Sequence, residues 1–151
     1  MKKALFVSVV FASVGWGCHQ NEQSTHQDKS VKKASQVVDP KLQQWVGHYQ
    51  GVLPCAACIS HCPDCDGMGV DLIIHPDQSF KLTRTSYSEH NKPEILTGTF
   101  MFSDAGKLKI QLKNVKERNT LILGNGYTEI IDIQSGASYP AYQDFQLHKI
   151  A

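Results

Sequence analysis

The sequence lacks an excess of either charge, since 15 Lys and Arg residues oppose 14 Asp and Glu residues and the net charge is +1. Proteins that bind nucleic acid through its phosphates carry a clear basic excess, so the composition argues against a nucleic-acid partner. A glycine-rich phosphate loop, a G-x-S-x-G motif and an H-E-x-x-H motif are also missing. Because the sequence shows no nucleophile or acid–base constellation, we predict a protein that is not an enzyme and requires no cofactor.

Long apolar runs are equally scarce, and the one that exists lies at the N-terminus. Residues 4–14 are apolar apart from two serines, and they follow the basic start Met1-Lys2-Lys3. The run is shorter than the roughly 20 residues that a bilayer-spanning helix needs. A basic start, a short apolar region and a small residue before the cut are typical of an exported precursor. We therefore predict a signal peptide over residues 1–17, whose removal leaves 134 of the 151 residues and one domain.

Cys18 stands directly after this predicted signal and resembles the lipidated cysteine of bacterial lipoproteins. Gly17 fits the small position before such a cysteine, whereas Gly15 and Trp16 replace the usual leucine and small residue. We predict that Cys18 is acylated and holds the protein on a membrane; the alternative is an ordinary signal that happens to contain a cysteine. Residues 18–40 are polar and without periodicity, which predicts a lipidated, disordered tether.

Short alternating segments dominate residues 41–151. Apolar and polar residues alternate with a period of two, and Gly, Pro, Asn, Asp and Ser separate the segments, as in antiparallel sheets. A short turn of helix near residues 40–45 is the one exception. About six to eight strands with short connections predict an all-β fold, either an up-and-down barrel or a sandwich. The alternating segments are residues 45–49, 68–75, 80–87, 94–102, 108–112, 119–123, 127–133 and 145–150.

Four cysteines form a cluster within this β-rich part, spaced as C-x2-C-x3-C-x2-C: Cys55, Cys58, Cys62 and Cys65, with His61 among them. In an oxidising compartment such cysteines most often form two disulfides, and three pairings are open. A metal site is the second interpretation, because four thiolates suit copper or zinc and His61 could act as an extra ligand. Catalytic thiol exchange is the third, and it lacks the helix that usually follows a redox C-x-x-C.

The residues that lead into the cluster resemble the opening of the NlpE N-terminal domain family. The resemblance is carried by Trp45, Gly47, Tyr49, Gly51, Leu53, Pro54, Cys55, Ala56 and Cys58. Members of that family are envelope lipoproteins with a lipocalin-like β-barrel and a C-x-x-C after the first strand. The resemblance extends over residues 41–150 and implies an antiparallel up-and-down, lipocalin-like barrel in a single-domain member. The second C-x-x-C, within residues 59–65, departs from the family pattern.

The resemblance also implies a role in envelope stress signalling, surface sensing or copper tolerance. Its implied partners are a membrane, reached through the lipid on Cys18, and an inner-membrane stress-sensor kinase. His19 and Gln20 replace the Asp that commonly retains lipoproteins at the inner membrane, so we expect outer-membrane anchoring, with the domain facing the periplasm or the cell surface.

Two alternative functions follow from the residues themselves. Periplasmic binding of copper or zinc would use the four clustered cysteines. Transport of a small apolar ligand would use the aromatic residues at alternating strand positions, because an eight-stranded barrel is just wide enough for one small ligand. The same aromatic residues are otherwise predicted to form the barrel core.

Overall fold

The structure, a computed structural model, describes residues 39–88 and 92–150. The predicted signal peptide, the predicted lipidation site Cys18 and all but the last two residues of the predicted tether lie outside the described residues. Within the two described ranges, no helix is both long enough and apolar enough to cross a membrane.

A short helix, α1 (Pro40–Trp45), opens the described chain, as the sequence predicted. The carboxylate of Asp39 accepts a 2.9 Å hydrogen bond from the backbone N–H of Lys41. An aspartate cap followed by proline favours a helix start, because the first turn has N–H groups without helical partners and proline has none to satisfy. Leu42 and Trp45 are buried, so one side of the helix packs against the core.

Eight antiparallel strands form a closed barrel in which each strand pairs with the next. The last strand returns to the first, with Tyr49 opposite Lys149 and Gln50 opposite His148. This confirms the predicted all-β up-and-down barrel and excludes the sandwich. The strands are β1 (Gly47–Leu53), β2 (Met68–Ile74), β3 (Ser79–Ser86), β4 (Glu94–Phe102), β5 (Lys109–Leu112), β6 (Thr120–Leu123), β7 (Tyr127–Ile131) and β8 (Gln146–Lys149).

The strands differ from the predicted segments at two places. The first predicted segment covers residues 45–49, whereas Trp45 belongs to α1 and β1 extends from Gly47 to Leu53. The second difference is the connection before β8. The seventh alternating segment was predicted to reach residue 133, but β7 ends at Ile131 because Asp132 starts a turn. The Asp132 carbonyl accepts a 2.8 Å hydrogen bond from the N–H of Gly136. Residues Tyr142–Phe145 then form a 3-10 turn, which delays the start of β8 to Gln146.

Buried side chains occupy the barrel interior. Inward positions alternate along the strands, as on β2, where Val70, Leu72 and Ile74 are buried and the residues between them are partly exposed. The aromatic residues mostly join the core as predicted, although Tyr87 is 48% exposed. Removal of these apolar surfaces from water is the main force that stabilises the barrel. The largest fully buried side chains are Trp45, Tyr49, Phe80 and Phe145.

The end of the barrel that carries α1, here called the helix end, is closed by an apolar plug. Trp45 has no exposed surface, and its indole N–H donates a 2.8 Å hydrogen bond to the carbonyl of Lys107. The hydroxyl of Tyr49 donates to the carbonyl of Trp45 at 2.9 Å. Burial raises the pKa of Tyr49 to about 12, so the phenol stays neutral and remains a donor.

The opposite end, here called the cysteine end, carries the longer connections of the barrel. These are residues 54–67 between β1 and β2, residues 87–93 between β3 and β4, residues 113–119 between β5 and β6, and residues 132–145 between β7 and β8. The four clustered cysteines lie in the first of these connections, here called the cysteine loop. The cysteine cluster that the sequence identified as a candidate site therefore lies at one end of the barrel.

Candidate functional site

Two tight turns shape the cysteine loop. The N–H of Cys58 donates a 2.8 Å hydrogen bond to the carbonyl of Cys55, and the N–H of Cys65 donates a 3.3 Å bond to the carbonyl of Cys62. Each C-x-x-C pair therefore makes one turn.

The four sulfur atoms lie close together in the cysteine loop. Cys55 and Cys65 form a disulfide with Cα atoms 6.7 Å apart. Cys58 and Cys62 remain thiols, and the sulfurs of Cys58, Cys62 and Cys65 lie within 4.8 Å of one another. The sequence favoured two disulfides, whereas the structure has one, which joins the two ends of the cysteine loop and leaves the two middle cysteines as thiols.

His61 lies outside the sulfur cluster. The group of metal-ligating atoms that approach within 4.8 Å of one another contains three cysteines and does not include His61. Its backbone N–H instead donates a 2.9 Å hydrogen bond to the carboxylate of Asp144, in the connection before β8. His61 thus ties the cysteine loop to a neighbouring connection through its main chain, and its predicted role as an extra ligand stays a prediction.

Gly67 ends the cysteine loop in a conformation that few other residues adopt. Its φ is +81°, and a Cβ atom there would come within 2.8 Å of the carbonyl oxygen of Leu53. Glycine permits both the left-handed backbone and the close approach. The chain can therefore turn directly from the loop into β2.

Arg118 is the functional residue that sequence reasoning missed. Its guanidinium donates hydrogen bonds to the carbonyls of Pro54 at 2.6 Å, Cys55 at 2.8 Å and Cys58 at 2.8 Å, with a longer bond of 3.3 Å to Ala56. These four acceptors belong to the first half of the cysteine loop. Arg118 therefore clamps that half against the barrel.

Arg118 is held without an opposite charge. Among the ion pairs of the described residues none involves Arg118, and its guanidinium lies over the ring of Phe145 at 5.1 Å from the centroid. Burial lowers the pKa of Arg118 below its ordinary value, and the nearby Cys58 opposes that shift. The positive charge is thus met by carbonyl dipoles and an aromatic face, beside a thiol that would attract it more strongly once ionised.

The connection that carries Arg118 is itself built on buried hydrogen bonds. The side-chain amide of Asn119 donates a 2.8 Å bond to the carbonyl of Val115, and the N–H of Leu112 donates a 2.8 Å bond to the carbonyl of Asn119. Arg118 takes a positive φ of 51°. The motif Lys-Glu-Arg-Asn reads as an ordinary polar turn, so nothing local in the sequence signals this role.

The sulfur cluster has the chemistry of a soft-metal site when its thiols are reduced. Zinc and Cu(I) prefer thiolate ligands. Zn–S bonds of about 2.3 Å in a tetrahedron place sulfurs somewhat less than 4 Å apart, and the separations within 4.8 Å are compatible with that spacing. With the disulfide formed, however, only Cys58 and Cys62 can supply thiolates, so a four-thiolate site requires reduction first.

Comparison with known proteins agrees with the barrel fold. Residues 49–135 match the NlpE N-terminal domain family, a span that includes the cysteine loop and strands up to β7. A crystal structure of a candidate lipoprotein from Shewanella oneidensis matches with 24% sequence identity and a TM-score of 0.56, over 70% of this chain and 88% of that chain. Its identity is low enough that it supports the fold alone. No curated protein matches the sequence. Since the family match covers more than half of the sequence, the chain belongs to the NlpE N-terminal domain family.

Proposed function

We propose that the protein is a non-enzymatic outer-membrane lipoprotein that reports the state of the cell envelope. Family membership over residues 49–135 carries this proposal, and the signal-like N-terminus with Cys18 supports the lipid anchor. In this proposal a partner protein recognises the barrel, and that partner is an inner-membrane stress-sensor kinase.

The proposed mechanism depends on position. A lipid-anchored barrel at the outer membrane is held away from a sensor in the inner membrane. Failure of lipoprotein sorting would leave the barrel at the inner membrane, within reach of that sensor. Failure of disulfide formation would act at the cysteine loop, because the Cys55–Cys65 bond joins the two ends of that loop.

Membrane fractionation of the full-length wild type and two full-length variants tests this proposal. Wild-type protein is expected in the outer membrane, and Cys18→Ser is expected to leave that fraction because it cannot be acylated. Cys62→Ser is the matched control, since it also removes one thiol, and it should fractionate like wild type. Cys18→Ser protein that still fractionates with the outer membrane would refute the anchor.

The signalling step is tested by His19→Asp, which places an acidic residue directly after the lipidated cysteine. We expect this variant to stay at the inner membrane and to raise the activity of an envelope-stress reporter several-fold over wild type. His19→Asn is the matched control without the charge and should behave like wild type. An inner-membrane His19→Asp protein that leaves the reporter unchanged would contradict the sensing role while leaving the anchor intact.

Soft-metal binding is the second candidate function, and the grouping of three cysteine sulfurs within 4.8 Å favours it. We expect reduced protein to bind one zinc or Cu(I) ion, and a variant with all four loop cysteines changed to serine to bind none. Native mass spectrometry with and without reductant measures both. Binding that survives in the four-serine variant would exclude the cluster as the site.

Transport of an apolar ligand inside the barrel is not part of this proposal. The interior positions hold buried side chains, among them Tyr49, Leu72 and Phe80. A ligand there would have to displace the core that stabilises the fold.

A further inference from the structure

A pocket lies at the cysteine end, and no cysteine is among the described residues that line it. It has a volume of about 390 Å³ and is lined by side chains of opposite character. Met68 and Leu96 are partly buried and pack against the barrel core, whereas Arg84, Lys116 and Arg118 contribute positive charge. The volume falls in the range of about 300–1,000 Å³ typical of small-molecule sites.

Arg84 is the unusual member of this lining. It follows Phe80 and Leu82 at the inward positions of β3, so a charged side chain occupies the place where the core pattern predicts an apolar one. Its side chain is only 12% exposed. An inward arginine at the last layer of a barrel costs desolvation free energy.

The hydrogen bonds of Arg84 are incomplete. One terminal nitrogen donates a 2.7 Å bond to the carbonyl of Glu117, and the other lies 3.5 Å from the carboxylate of Glu94, which is 54% exposed. The Nε of Arg84 is buried without a hydrogen-bond partner. Guanidinium offers five N–H donors in a planar fork, so donors remain for a further acceptor.

The charge of the pocket also favours an anion. Arg84, Lys116 and Arg118 outnumber the two acidic residues of the lining, Glu94 and Glu117. Burial, and to a lesser extent the charge of Arg84, lower the pKa of Arg118 below its ordinary value, as expected from repulsion between two like charges. An anionic ligand would relieve this repulsion.

We propose that this pocket binds a small organic carboxylate, with the carboxylate against the guanidinium of Arg84 and a short apolar chain against Met68 and Leu96. Arginine favours this ligand class because its fork matches the two oxygens of a carboxylate. Ala56 of the cysteine loop also lines the pocket, so the ligand lies beside the segment that Arg118 clamps. The site is independent of both proposed functions, since it uses neither the lipid anchor nor a thiol.

Octanoate is the probe for this site, titrated into the chain from His19 onward after export with a cleavable signal. That chain contains every described residue. We expect binding at one site by isothermal titration calorimetry, and at least about tenfold weaker binding of 1-octanol, because loss of a charge-assisted hydrogen bond costs roughly 1.5–3 kcal/mol. Equal binding of octanol, or equal binding of inorganic phosphate, would overturn the carboxylate assignment. No binding across carboxylates from acetate to dodecanoate would overturn the site.

Three variants test whether octanoate binds at Arg84. Arg84→Gln is expected to weaken octanoate binding at least about tenfold, and Arg84→Lys is expected to fall between Arg84→Gln and wild type because it keeps the charge but loses the fork. Lys81→Gln is the matched control, since it removes the same charge from an exposed position of β3. Folding of each variant is followed by near-ultraviolet circular dichroism. If Arg84→Lys is folded and both Arg84 variants bind octanoate like wild type, Arg84 is not the anion-binding group.

Discussion

The two ends of the barrel are closed by different kinds of interaction. At the helix end an apolar side chain, Trp45, fills the opening and is fully buried. At the cysteine end a disulfide and a clamp of charge-assisted hydrogen bonds from Arg118 hold a polar loop over the core. The first closure depends on exclusion of water and is insensitive to redox chemistry. The second contains a disulfide that a reductant can break, so the two ends differ in their sensitivity to redox conditions.

The largest expected effect comes from opening the helix end. Trp45→Ala removes a fully buried aromatic side chain, and such truncations cost about 3–5 kcal/mol of unfolding free energy. Urea unfolding followed by far-ultraviolet circular dichroism measures the loss. Tyr142→Ala, at a position that is 47% exposed, should change stability by less than about 0.5 kcal/mol. A similar loss in both variants would mean that Trp45 is not the plug.

The next largest effect separates the two pairs of cysteines. Cys55→Ser with Cys65→Ser removes the disulfide and should lower unfolding free energy by about 2–3 kcal/mol, because the bond restricts the unfolded chain. Cys58→Ser with Cys62→Ser should cost less than about 1 kcal/mol, because it removes thiols alone. Unfolding can be followed by fluorescence of Trp45, the only tryptophan after residue 18. Equal losses in the two double variants would contradict the Cys55–Cys65 pairing.

A smaller effect tests the clamp at the cysteine end. Arg118→Gln keeps polar donors but removes the charge and most of the four carbonyl contacts. We expect a loss of about 1–2 kcal/mol and faster amide hydrogen exchange within residues 54–67. Lys116→Gln, an exposed cation of the same connection, is the control. Unchanged exchange in Arg118→Gln would show that the disulfide alone holds the loop.

The smallest expected effect is a change of stability with pH that arises from Asp39, the residue that caps α1 at the helix end. A hydrogen bond from the side chain of Lys107, with a second from the N–H of Lys41, lowers the pKa of Asp39 below its ordinary value of 3.8. A carboxyl with a lowered folded-state pKa stabilises the protein when ionised. Its contribution is therefore complete above the ordinary pKa and is lost as the pH falls through the lowered one.

Comparison of wild type with Asp39→Asn isolates that contribution from other carboxyl groups. The difference in unfolding free energy should be constant near neutral pH and shrink as the pH falls through the acidic range. A difference that does not change with pH would show that Asp39 acts as a helix cap without need of its charge.

Most of the fold could be predicted from local pattern. Alternation with a period of two shows which residues face the core, as with Phe80 and Leu82 on β3. This pattern can be recognised from residues that are close together in the sequence. The start of α1 was also predictable, since its aspartate and proline are adjacent. The 3-10 turn Tyr142–Phe145 was missed, because Phe145 is fully buried, as an inward residue of a strand would be.

The candidate site was predictable in composition but not in arrangement. The spacing of the four cysteines identified the loop, whereas three pairings were equally open. Arg118 lies 60 residues from Cys58 in sequence, and no local pattern links them. Arg84 interrupts the apolar inward positions of β3 after Phe80 and Leu82, but only the structure shows that its guanidinium is buried and incompletely bonded.

The sequence alone determined the alternation of buried and exposed residues, most of the turns, the cluster of cysteines and the resemblance to an envelope family. The tertiary structure alone decided that Cys55 pairs with Cys65, that Arg118 clamps the cysteine loop and that Arg84 faces a pocket. The reason is physical. Hydrophobic alternation acts between neighbours along the chain, whereas disulfide pairing, hydrogen-bond satisfaction and desolvation of a charge depend on distances that exist only once the barrel has closed.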